Sequence, residues 1–76
     1  MTHPFDANAN AQRIATACAA LKSASQARGD NPAVCDEAVI DLLADLRQFC
    51  AARCIDYESC DRMARHHFEA ETGAKR

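Results

Sequence analysis

Large apolar residues are concentrated in one run, Val39 to Phe49, V-I-D-L-L-A-D-L-R-Q-F. At about 100° per residue, Val39, Leu42, Leu43, Leu46, Phe49 and Cys50 fall on one side of a helix, with Cys35 and Ala38 a turn earlier. Ile40 widens this face to roughly 200°, whereas an ordinary surface helix shows a stripe of at least about 100°. Such a helix is expected to be covered from two directions. Glu37, Asp41, Ala44, Gln48 and Ala52 form the narrow strip that remains. Arg53 falls inside the apolar arc near its end and must extend to solvent or meet a carboxylate.

Two thinner patterns flank the central run. From Ala7 to Arg28 the chain is alanine-rich without Pro or Gly, and Ala11, Ile14, Cys18, Leu21 and Ser25 recur at spacings of three and four, which predicts a first helix with a small-residue face. Residues 1–6, with Pro4 and Phe5, are expected to form an arm, and Asp6 is a candidate N-cap. Gly29 suits the position just past a helix end, Asn31 an N-cap and Pro32 the first turn of a second helix over about 32–53. Asp56 is an N-cap candidate for a third helix over about 57–71. There Tyr57, Cys60, Met63, Ala64, His67 and Phe68 share one face, and 72–76 should fray.

Short connections between three helices predict an all-α fold in a single domain spanning 1–76. The expected arrangement is a compact three-helix bundle in which helices 2 and 3 form an antiparallel hairpin and the Ala-rich helix 1 packs across them. Its expected core is Val39, Leu42, Leu43, Leu46, Phe49, Met63, His67 and Phe68. In a chain of 76 residues so few large apolar side chains give a marginal core. A homodimer or an obligate protein partner is therefore expected.

Composition narrows the possible chemistry. A net charge of -2 offers no basic face for nucleic acid. No apolar run approaches the ~18 residues of a membrane span, and the start of the sequence lacks a secretory leader. These features point to the cytoplasm. Five cysteines, an odd number, then read as thiols that behave as small hydrophobes.

Three constellations merit testing. Cys50, Cys54 and Cys60 are candidate zinc ligands, the first two being four apart on one helix face. A fourth ligand from His66 or His67 fits poorly, because Cys60 and His67 lie about 10 Å apart along a continuous helix. His67 otherwise reads as a hydrogen-bonded core imidazole. Phe49, Cys50, Ile55, Cys60 and Met63 echo helix-turn-helix spacing, with Cys54 where a glycine is usual, but Asp56, Glu58 and Asp61 crowd the end that would meet phosphates. No serine-hydrolase arrangement, phosphate-cradling loop or HExxH is present. The triplet Arg28, Gly29, Asp30 matches an integrin-binding sequence, and a turn accounts for it.

Asp41, Leu42, Asp45, Leu46 and Cys50, followed by the pair Asp56 and Tyr57 and then Ala64, His67, Phe68 and Glu71, form a recognisable pattern of about 30 residues. It resembles short uncharacterised α-helical proteins of proteobacterial phages, plasmids and integrative elements, with D-L-x-x-D-L-x-H-x-C, then D-F or D-Y, then A-x-x-H-F/Y-x-x-E. Gln48 stands where that pattern often has histidine, and Cys54 where a helix-ending glycine is common. The resemblance implies a mobile-element setting and no catalytic activity. In that setting the expectation is a non-enzymatic, cofactor-free helical module that binds a host protein, for example as inhibitor of a defence complex. Asp41 and Asp45 are candidate contacts to a basic partner. A cysteine-ligated zinc protein and a helix-turn-helix-like DNA regulator are the alternatives.

Overall fold

The computed structural model describes residues 7–73. The expected arm, with Phe5 and Asp6, and the last three residues lie outside that range. The chain is an all-α three-helix bundle of α1 (Ala7–Ala27), α2 (Asp36–Ala52) and α3 (Tyr57–Thr72). α1 packs on α2, and α2 on α3. α1 also reaches the far end of α3, where the Asn10 side-chain amide donates to the Glu71 carbonyl at 3.2 Å and Arg13 pairs with the Glu71 carboxylate at 3.1 Å.

All three helices stop by the same device, a residue in the left-handed region. Both glycines of the chain serve this purpose, Gly29 at φ 88° and Gly73 at φ 76°. After α1, the Asp30 amide bonds the Ser25 carbonyl at 2.9 Å and the Gly29 amide bonds Gln26 at 3.0 Å. This is the paired pattern of a Schellman stop. After α2 the same pattern recurs without glycine. Cys54 takes φ 57°, while the Ile55 amide bonds Cys50 at 2.9 Å and the Cys54 amide bonds Ala51 at 3.5 Å.

Helix starts differ more from expectation. α3 begins as predicted, with the Asp56 side chain accepting from the Ser59 amide at 3.2 Å. α2 begins four residues later than predicted. Asn31 to Val34 are not helical, and Cys35 is the N-cap, with extended backbone and no side-chain capping bond. Pro32 fits an extended segment as well as a first helical turn, so it does not by itself start the helix. The acidic pair that suits the helix dipole, Asp36 and Glu37, forms the actual first turn.

The interior is the main departure. Ala38, Cys50, Asn10 and Ser25 are the residues buried among those described. Leu42 is half-buried. Val39, Leu43, Leu46, Phe49, Met63 and Phe68, expected as core, retain 41–56 % of their surface, and His67 is exposed as well. The expected core is thus not closed within one chain. The reason lies in where the helices approach. Arg28 clamps α1 to α2 near one end, and Asn10 and Arg13 tie α1 to the end of α3, while the large apolar side chains along the helices stay largely uncovered.

Candidate interaction surface

The uncovered sides form a groove. One cavity of about 290 Å³ lies between α1 and α2, lined by Ala17, Leu21, Val39, Leu42, Leu43 and Leu46 together with Ala20. A second, of about 400 Å³, lies between α1 and the end of α3, where Ile14 and Phe68 meet Asn10, Arg13 and Glu71. Ala17 lines both, so the two adjoin along α1, and together they make up the apolar trough of this surface. Val39, Leu43 and Leu46, which the sequence places on the apolar arc of α2, line the part of it between α1 and α2. Ile40, which widened the arc on paper, is 62 % exposed and lines neither cavity.

The rim is held by ion pairs within the chain. Arg28 lies 3.3 Å from Asp45, 3.6 Å from Asp41 and 3.6 Å from Asp30. Of these, the Asp45 contact is a hydrogen bond. Asp41 and Asp45, expected as contacts to a basic partner, are therefore directed at the chain's own guanidinium. Arg28, Gly29 and Asp30 are accounted for by the same corner: a C-cap, its left-handed stop and a carboxylate folded back on the arginine. At the other end of α2, Arg47 bonds Glu58 at 3.0 Å and lies 4.3 Å over the Tyr57 ring. The Glu58 hydrogen bond raises the Arg47 pKa above its ordinary value. Arg53 answers its position in the apolar arc by lying 5.0 Å over the Phe49 ring. Sequence reasoning missed Asn10, Arg28 and Arg47 as clamps. Their partners are 11 to 61 residues away, and no local spacing encodes such pairs.

The thiol and imidazole candidates do not gather. Cys50 is buried, Cys18 half-buried, and Cys35, Cys54 and Cys60 are exposed. Only part of the cysteine set therefore acts as core hydrophobe. Among the described residues no three His, Cys, Asp or Glu side chains converge as a metal ion requires. Cys54 has its own structural task in the α2 stop, and Cys60 and His67 are exposed on α3. The Asp56 carboxyl titrates below its ordinary value, because the Ser59 amide and the Ser59 hydroxyl both donate to its charged form. Its exposed capping role is structural.

No helix among the described residues is long and apolar enough to cross a membrane. Comparisons of the chain with protein-family models, curated proteins and solved structures returned no match.

Proposed function

We propose that this chain is a non-enzymatic helical module that works by binding protein through the apolar trough. The observation that carries this reading is the exposure of Val39, Leu43, Leu46 and Phe68, all at 41 % or more, where they line the cavities that α1 forms with α2 and α3. Contiguous apolar surface on this scale marks a contact site. An apolar lining beside internally paired charges suits a hydrophobic partner surface more than a charged small molecule.

The reading is tested by recovering a tagged chain from cells of its source, with Leu43→Arg in the trough and Gln48→Arg on the polar strip. A polypeptide recovered with the parent and Gln48→Arg but lost with Leu43→Arg is expected. Identical recovery from all three would contradict the reading.

A helix-turn-helix reading draws on one observation, the left-handed Cys54 at the corner between α2 and α3. Against it, Asp56 caps the would-be recognition helix and Glu58 follows in its first turn, where phosphates would have to approach. Salt-dependent retention on DNA is its test, and none is expected.

A further inference from the structure

We draw no further inference here: the strongest candidate, the apolar trough that α1 forms with α2 and the end of α3, belongs to the surface already described, and nothing in the structure shows what covers it.

Discussion

Cys54 holds a backbone conformation that costs an L-residue roughly 1–2 kcal/mol and glycine almost nothing. Its φ of 57° is fixed by the paired amide bonds that end α2. Cys54→Gly should therefore stabilise the protein by about 1 kcal/mol, raising Tm by roughly 4–8 °C in a domain of this size. A reducing-buffer melt checks this, and a lower Tm would contradict the assigned stop. The reciprocal change, Gly29→Ala, should destabilise by about 1 kcal/mol. No atom lies within 4 Å of the added methyl, so that cost comes from the backbone alone.

Asp56 makes a pH prediction at the same scale. Its folded pKa lies below the unfolded value of about 3.9, because the Ser59 amide and hydroxyl donate to the charged carboxylate. The contribution is fully present above the unfolded pKa and is lost as pH falls through the folded one. Below about pH 4 the first turn of α3 should open, seen as faster exchange of the Ser59 amide. Asp56→Asn keeps a capping oxygen without the titration. Its Ser59 amide should show no acid limb.

At the scale of elements, existence and type were legible, and starting points only in part. Asp56, Gly29 and the 3.6-residue period of Leu42, Leu46 and Phe49 are local signals, and local signals place helices. The start of α2 was misplaced because Pro32 satisfies an N1 position as well as it satisfies an extended strap, and only tertiary context chooses. The clamp at Arg28 was invisible because its carboxylates sit 13 and 17 residues away on another helix. Arg28→Gln should cost about 1 kcal/mol, the usual scale for partly exposed pairs, and should loosen α1 from α2 while leaving α3 unchanged. Amide exchange resolved by helix checks this. Uniform loss of protection would show instead that the three helices open as one unit.

For the whole molecule, the composition already warned that one core would be thin. Among the described residues, the ten large apolar side chains that keep 41–70 % of their surface exposed show where the shortage falls. Periodicity identified the apolar face of each helix but carries no information about whether that face is covered by the same chain or another. Leu46→Asp follows from this: it puts a charge on a face that the assembled state must bury, so cooperative folding should be lost. A cooperative melt near the parent temperature would show that the trough stays wet.

The central claim, that the apolar trough is a protein-binding surface, is tested most directly by photo-crosslinking in cells of its source from benzoylphenylalanine placed at Leu43, with Gln48 on the polar strip as control. The account predicts a polypeptide adduct from Leu43 and none from Gln48. No adduct from Leu43, or the same adduct from both positions, would contradict it.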